Sequence, residues 1–496
     1  MTEVCIRRVL KQTEVKLGLT PFRTGSPPAG SIAEAAPVVP PRGRPAIFSA
    51  LISDPTQANA ISCPKDLCIV GCGSGVMQMD AKAYVREITT AAKASAAMLA
   101  LTDGSARINA LMACASALRQ SSSHIKRQNA KDLVGAKEMK LSFAMIERLT
   151  LDDKAIEKMA CAIEQIALQV DPVGEAIEAY NRPNGLRIEK RRVPIGVIAV
   201  IFESRPNVTA DAAALCLKSA NACILRGGKE AIHSNIAIAD AMKRGLSEAN
   251  LPADAVTVID NTDRAVVGEL CKAQGMIDLI IPRGGEGLIR AVVEQATIPV
   301  IKHYTGNCHV YLHHDAEESQ ALDIVLNAKC QRPGVCNAME TLLLHAQAAQ
   351  RMLTKIAERL TASGVELRGC PASRKLVPAM KQATDADWGE EYLDLVLAVK
   401  VVENLDEAIS HINAFGSGHT DAIVTTSIDA ANRFVAGVDS ASVMVNASTR
   451  FSDGGEYGLG AEVGISTDKL HARGPMGAKD LTTYKWIVTG QGHIRS

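Results

Sequence analysis

Aromatic side chains are scarce in this chain: 2 Trp, 7 Tyr and 7 Phe make up only 3% of 496 residues. Little surface is therefore offered for stacking nucleic-acid bases. An excess of either charge is missing too. Lys plus Arg and Asp plus Glu number 54 each, so no net field draws the chain to nucleic acid or anionic lipid. No stretch reaches the ~18 uninterrupted apolar residues of a membrane span. A disulfide framework is also absent, since the 13 cysteines are odd in number and scattered. That pattern predicts reduced thiols in a cytoplasmic compartment. What remains, 47% apolar and 22% charged, is the composition of a globular chain long enough for two or three cores.

Residues 1–78 differ from the rest. They hold 9 of the 20 prolines, with SPPAG and VVPPRGRP, and no sustained helical period. They read as a disordered N-terminal extension. No apolar run follows Arg7 and Arg8, so a secretory signal is not expected. Cys63, Cys68 and Cys72 are spaced C-x4-C-x3-C with no fourth ligand near, a poor fit to structural zinc. The functional chain is expected to start near Met79. From 80 to about 170 the pattern is amphipathic helix, with Ser105 and Asp152 placed as caps. From VPIGVIAVIF (193–202) onward, short β-branched runs alternate with helices as far as 296. A second alternating block has runs at VYL, ETLLLH, LAVKVV, DAIVTT and SVMVN. Such alternation predicts parallel βαβ units, here two α/β lobes with a crevice between them.

Several motifs carry chemistry. ILRGGKEA (224–231) and IPRGGEGL (281–288) each set Arg-Gly-Gly between a strand and a helix. Close backbone, free N–H groups and a cation suit a phosphate, although neither turn matches G-x-G-x-x-G or a Walker A sequence. An ordinary glycine turn with a solvated arginine is the alternative. Cys336 follows the Pro333-Gly334 turn and opens NAMETLLLH, a position that suits an accessible nucleophile. The alternative is a structural thiol, the reading preferred for Cys330. Asn207, in ESRPNVTAD, could present an amide donor at the crevice or only serve its turn. Arg450, in the long polar segment 446–467, is a candidate for a substrate carboxylate or a surface ion pair.

Together, VPIGVIAVIFESRPNVTADAAALCLKSANACILRGGKEAIHSN, IDLIIPRGGEGLI, QRPGVCNAMETLL, EEYLDLVLAVKVV and VNASTRFSDGGEYGLGAEVGISTDKLHARGPMG closely resemble the gamma-glutamyl phosphate reductase family. That family belongs to the aldehyde dehydrogenase superfamily, and the resemblance runs from about Met79 to Ser496. It implies two Rossmann-like α/β lobes plus a small β oligomerisation element. The implied division is 79–305 for the cofactor, with 181–194 as oligomerisation hairpin, 306–445 for catalysis, and 446–496 for an active-site loop and C-terminal return segment. Cys336 falls on the catalytic cysteine and Asn207 on the oxyanion donor. Arg226, Gly227, Gly228 and Lys229 fall at the adenosine-ribose end of the cofactor, Pro282, Arg283, Gly284 and Gly285 near its pyrophosphate, and Glu391 on its nicotinamide ribose. One departure stands out. Hydrolytic relatives carry a Glu-Leu-Gly-Gly stretch, and HYTGNCHVYL (303–312) has no carboxylate in its place.

The activity so implied is NADPH-dependent reduction of L-glutamyl 5-phosphate to glutamate 5-semialdehyde and phosphate through a cysteine thioester, the second step from glutamate to proline. No metal is implied. The resemblance also implies a homo-oligomer, and association with glutamate 5-kinase stands as a hypothesis. Three rivals remain: a hydrolytic aldehyde dehydrogenase, a non-catalytic nucleotide-binding regulator, and a metal protein using Cys308, Cys330 and Cys336.

Overall fold

The computed structural model describes residues 80–495. The expected extension, with Cys63, Cys68 and Cys72, lies outside the described residues. Five helices come first: α1 (Ala81–Leu99), α2 (Gly104–Gln120), α3 (Ser122–Glu138), α4 (Phe143–Leu149) and α5 (Asp153–Ala167). Helix α5 buries Ile156, Met159, Ala160 and Ile163, one stripe at three- and four-residue steps. Asp152 caps it, as expected, by accepting from the Ala155 N–H. Ser105 is not a cap. Asp103 has the extended backbone that capping needs and accepts from the Ala106 N–H, while Ser105, already inside α2, donates to Asp103. Among the described residues no helix is long and apolar enough to cross a membrane.

An antiparallel hairpin follows, β1 (Ala176–Asn181) and β2 (Arg187–Pro194). The run 193–202, read as one strand, divides here: β2 ends at Pro194 and β3 (Val197–Phe202) belongs to another sheet. Gly196 makes the corner at φ +133, and a Cβ there would lie 2.2 Å from the Asp278 carboxylate. β3 is buried along its whole length, so its β-branched residues face helices on both sides. The chain continues through α6 (Asn207–Lys218), β4 (Ala222–Arg226), α7 (Ile232–Glu248), β5 (Val256–Val258), α8 (Arg264–Cys271), β6 (Leu279–Arg283) and α9 (Glu286–Gln295). The sheet is parallel, in the order β5-β4-β3-β6.

The second sheet is also parallel, with seven strands in the order β10-β9-β11-β8-β7-β12-β13. Its members are β7 (Cys308–Leu312), β8 (Met339–His345), β9 (Glu366–Gly369), β10 (Lys381–Gln382), β11 (Val396–Val402), β12 (Thr420–Val424) and β13 (Ser442–Val445). The five apolar runs read from the sequence fall on β7, β8, β11, β12 and β13. Helix α10 (Glu318–Cys330) joins β7 to β8 and packs Ala321, Val325 and Ala328 on Val310, Leu342 and Leu344. Two short strands, β14 (Ile465–Ser466) and β15 (Gly474–Pro475), pair after the long polar segment. Finally β16 (Thr482–Thr489) returns to pair with β2, completing a three-stranded sheet β1-β2-β16.

Candidate active site

The two Arg-Gly-Gly turns stand side by side. Ile201, near the end of β3, pairs with Arg226 on one side and Pro282 on the other. The turns Arg226–Lys229 and Pro282–Gly285 therefore flank the carboxyl end of β3, where connections leave in opposite directions and nucleotides bind in open α/β sheets. The end of β3 is fastened to both. Glu203 accepts from the Gly285 N–H (3.0 Å), and Ser204 donates its N–H and Oγ–H to Glu230 (2.8 and 2.5 Å). Both glycine turns are too close-packed for larger residues. A Cβ at Gly227 would lie 2.0 Å from Asn235 Nδ2, and one at Gly284 would lie 2.7 Å from Glu203. Arg283 pairs with Glu462 at 3.5 Å. Arg226 only reaches the Thr262 carbonyl, at 3.4 Å, and Lys229 is exposed. Helix α7 begins only at Ile232, after one 3-10 turn at Lys229–Ala231. The close-packed glycines and the adjoining cations fit a nucleotide. At the second turn its phosphate would compete with Glu203 for the Gly285 N–H.

Cys336 lies in an irregular segment between α10 and β8, and no helix starts at it. The segment is held from several directions. Arg148 donates to the Gly334 carbonyl (3.1 Å), Cys308 Sγ to the Cys336 carbonyl (3.2 Å), Asn337 to the Ser452 carbonyl (2.9 Å) and Arg450 Nε to Gln331 (2.8 Å). Gly306 passes underneath, where a Cβ would lie 2.0 Å from the Cys336 carbonyl oxygen. Glu391 lies close enough to the Gly306 backbone amide to sense it, and burial raises the Glu391 carboxyl against that influence. Thus Glu391 and Cys336, the residues expected at the cofactor ribose and at the reacting carbon, meet across one glycine. A buried ion pair closes the loop: Lys329, at the end of α10, reaches Glu340, at the start of β8, at 2.5 Å. Burial raises Glu340 to about 7, with the Lys329 ammonium opposing.

Two imidazoles adjoin the thiol. Ligand atoms of Cys336, His303 and His419 all lie within 4.8 Å of one another. His303 Nδ1 lies 2.8 Å from the Ile465 carbonyl, which makes it the N–H and leaves Nε2 available. His419 is fully buried, and burial lowers its pKa to about 4, so the ring is neutral. Gly306 and His303 precede β7, Cys336 precedes β8, and His419 precedes β12. Cys336 thus sits at the amino ends of three neighbouring strands, whereas the Arg-Gly-Gly turns occupy carboxyl ends of the other sheet.

Asn207 is the first residue of α6, and its Nδ2 donates to Asp211 (2.9 Å). Burial raises the Asp211 carboxyl to about 6. Arg205, two residues before Asn207, opens to solvent, yet the surrounding protein lowers its guanidinium to about 10. Arg283, Arg148 and Arg332 add to that lowering, and the Cys336 charge opposes it. Burial also lowers Arg450, which senses Arg332 and Cys336. Among the described residues Arg450 forms no ion pair. Cys336, Glu391 and Arg450 therefore share one neighbourhood, with Asn207 near it. Sequence reasoning weighed His303, with His309, His313 and His314, as a possible partner of the thiol, and missed Arg148, Arg205, Arg332 and the approach of His419. Arg205 and Arg332 lay inside quoted motifs, while Arg148 gave no signal. Cys330 stays at the end of α10 against the core, so the groups gathered at the thiol are imidazoles and not the three cysteines weighed as a metal set.

The chain matches the model of the aldehyde dehydrogenase family over residues 73–374 and 377–486. The gamma-glutamyl phosphate reductase of Caldanaerobacter subterraneus subsp. tengcongensis is 52% identical over 404 residues, covering 82% of this chain and 98% of that protein. The crystal structure of gamma-glutamyl phosphate reductase from Thermotoga maritima is similar with a TM-score of 0.81 and 44% identity, over 83% of this chain and 100% of the other. The glyceraldehyde-3-phosphate dehydrogenase of Methanocaldococcus jannaschii, complexed with NADP, shares the fold alone: 15% identity and a TM-score of 0.62 over 83% and 95% of the two chains.

Proposed function

The chain belongs to the aldehyde dehydrogenase family, among its gamma-glutamyl phosphate reductases, and on that premise we propose that it reduces L-glutamyl 5-phosphate to glutamate 5-semialdehyde and phosphate, the second step of proline synthesis from glutamate. It is an oxidoreductase of a small-molecule substrate and works with a nicotinamide cofactor. The observation that carries the reading is Cys336 with the imidazoles of His303 and His419 beside it.

His303, whose Nδ1 faces the Ile465 carbonyl, is assigned to take the thiol proton at Nε2. Cys336 Sγ then bonds the acyl carbon, the carbon–oxygen bond to phosphate breaks, and a thioester remains. Asn207 has two amide hydrogens. One is held by Asp211, which fixes the amide plane, and the other is available to the oxyanion. Arg205, Arg332 and Arg450 supply positive potential for an anionic substrate, and Arg450 is assigned to its carboxylate. When bound, the cofactor supplies the hydride that reduces the thioester. Among the described residues Arg226 and Lys229, unlike Arg283, form no ion pair, although Arg226 senses Glu230, and this supports contact with a 2′-phosphate and hence NADPH. Glu391 is assigned to its nicotinamide ribose. The stretch 303–312 offers no carboxylate to activate water on the thioester. The acyl phosphate is labile, so direct transfer from glutamate 5-kinase is part of the proposal; a coupled assay without flux enhancement removes that part alone.

The test is the reverse reaction, with glutamate 5-semialdehyde and NADP, with and without inorganic phosphate. Strict phosphate dependence, abolished in Cys336→Ala, is expected. Turnover without phosphate overturns the reading in favour of a hydrolytic dehydrogenase. Folded protein that binds NADP without turnover overturns it in favour of a regulator.

A further inference from the structure

We propose that Cys336, His303 and His419 form a binding site for a thiophilic divalent cation of the Zn2+ type, which reversibly blocks the thiol. Their ligand atoms already lie within 4.8 Å of one another. Tetrahedral zinc, with Zn–S ~2.3 Å and Zn–N ~2.0 Å, spaces its ligand atoms roughly 3.3–3.6 Å apart, so an inward movement of about 1 Å closes the site.

Two further observations point to a ligand. Each ring holds its second nitrogen in place: His303 Nδ1 at 2.8 Å from the Ile465 carbonyl, and His419 Nδ1 at 2.8 Å from Thr420 Oγ1. Metal-bound imidazoles are oriented in this way by an outer partner. In addition, His419 is fully buried, and among the described residues its Nε2 has no hydrogen-bond partner. Buried polar atoms are rarely left unsatisfied. The surrounding charge is mixed. Arg205 and Arg450 sense the thiol, Arg283 acts on His419, and all three oppose a cation there, while Glu391, Glu462 and Asp421 act on His419 and favour one. The three side chains leave a fourth tetrahedral position for water or an anion. Binding forms a sulfur–metal bond, releases the thiol proton to solvent and changes no oxidation state.

Metal binding stands independently of the proposed reaction, whereas inhibition rests on it. The full chain, stripped with chelator and kept anaerobic, is titrated with Co2+ and followed by absorbance. One equivalent is expected to give a thiolate-to-cobalt charge-transfer band and the intense visible bands of tetrahedral cobalt. Cys336→Ala should abolish the charge-transfer band, and Cys330→Ser should retain it. His303→Gln and His419→Gln, checked for folding by circular dichroism, should each weaken binding by more than the ~10–100-fold typical of losing an outer-shell partner. Absence of a band at one equivalent, or its survival in Cys336→Ala, overturns the proposal. In parallel, Zn2+ should inhibit the wild-type reverse reaction and EDTA should restore it. Zinc sensitivity in His419→Gln equal to that of the wild type also overturns it. A cobalt band in a protein lacking reductase activity sinks the proposed function and leaves the metal site standing.

Discussion

Asn207 and Asp211 stand one helical turn apart at the start of α6, and their bond gives two predictions. Asn207→Ala removes one oxyanion donor and should lower kcat about 100- to 1,000-fold. Substrate dissociation, read in Cys336→Ala, should change much less. Asp211 supplies a pH signature. Burial, the largest cause, raises its carboxyl from 3.8 to about 6, while the Asn207 bond, Lys158 and Arg283 oppose the rise. The fold therefore favours the neutral acid. That contribution is whole below the unfolded value and is lost as pH climbs through about 6. Asp211→Asn keeps an acceptor for Asn207 and has nothing to ionise. It should melt with the wild type near pH ~4 and above it near pH ~7.5; a constant difference across that range contradicts the assignment. At this scale the sequence was partly legible. Cys336 and Asn207 were visible because each sits in a short, distinctive motif. Which imidazoles reach the thiol was not, because His303 and His419 are brought to it only by the side-by-side register of β7, β8 and β12.

The same register explains why elements were easier to read than their junctions. Runs such as ETLLLH and DAIVTT are apolar because parallel strands are covered on both faces. The break at Gly196 left the apolar run almost unchanged, so hairpin and sheet read as one strand. The loop between α10 and β8 is where element packing meets chemistry. Its buried pair, Lys329 and Glu340, is fully shielded, and Glu340 also accepts from the Leu393 N–H (3.2 Å), beside Glu391. Lys329→Met should destabilise the fold by about 3–5 kcal/mol, because it leaves a buried carboxyl without its cation. Lys329→Met with Glu340→Leu should recover much of that loss in denaturant unfolding. Equal stabilities for the single and double variants would contradict the account. Gly306→Ala forces a Cβ against the Cys336 backbone. It should slow alkylation of Cys336 and reduce turnover together, with secondary structure unchanged by circular dichroism.

At the scale of the whole molecule, the sheet β1-β2-β16 is poorly covered by the other described residues. All of β1 is exposed, and Tyr484, Trp486 and Val488 are each about half exposed on β16 (49, 50 and 57%). Lys190 lies 4.0 Å from the Tyr484 ring centre and 5.4 Å from that of Trp486. An apolar row on so small a sheet suits a subunit contact. Trp486→Asp is expected to lower the mass seen by sedimentation while leaving the melting of the two α/β sheets nearly unchanged. The same mass for both proteins would place the contact elsewhere.

Gly306 has a consequence for the order in which ligands act. Its amide faces the Glu391 carboxylate, and its α-carbon rests on the backbone of Cys336. A ligand that draws the Glu391 oxygen away therefore loosens the support beneath the sulfur, and a group added to the sulfur pushes back on Glu391. Such coupling is reciprocal by thermodynamic necessity. Capping Cys336 with a small alkyl group should change NADP affinity by some factor, and NADP should change the equilibrium for reversible capping by that same factor. The two halves of the reaction would then sense each other through a residue that has no side chain.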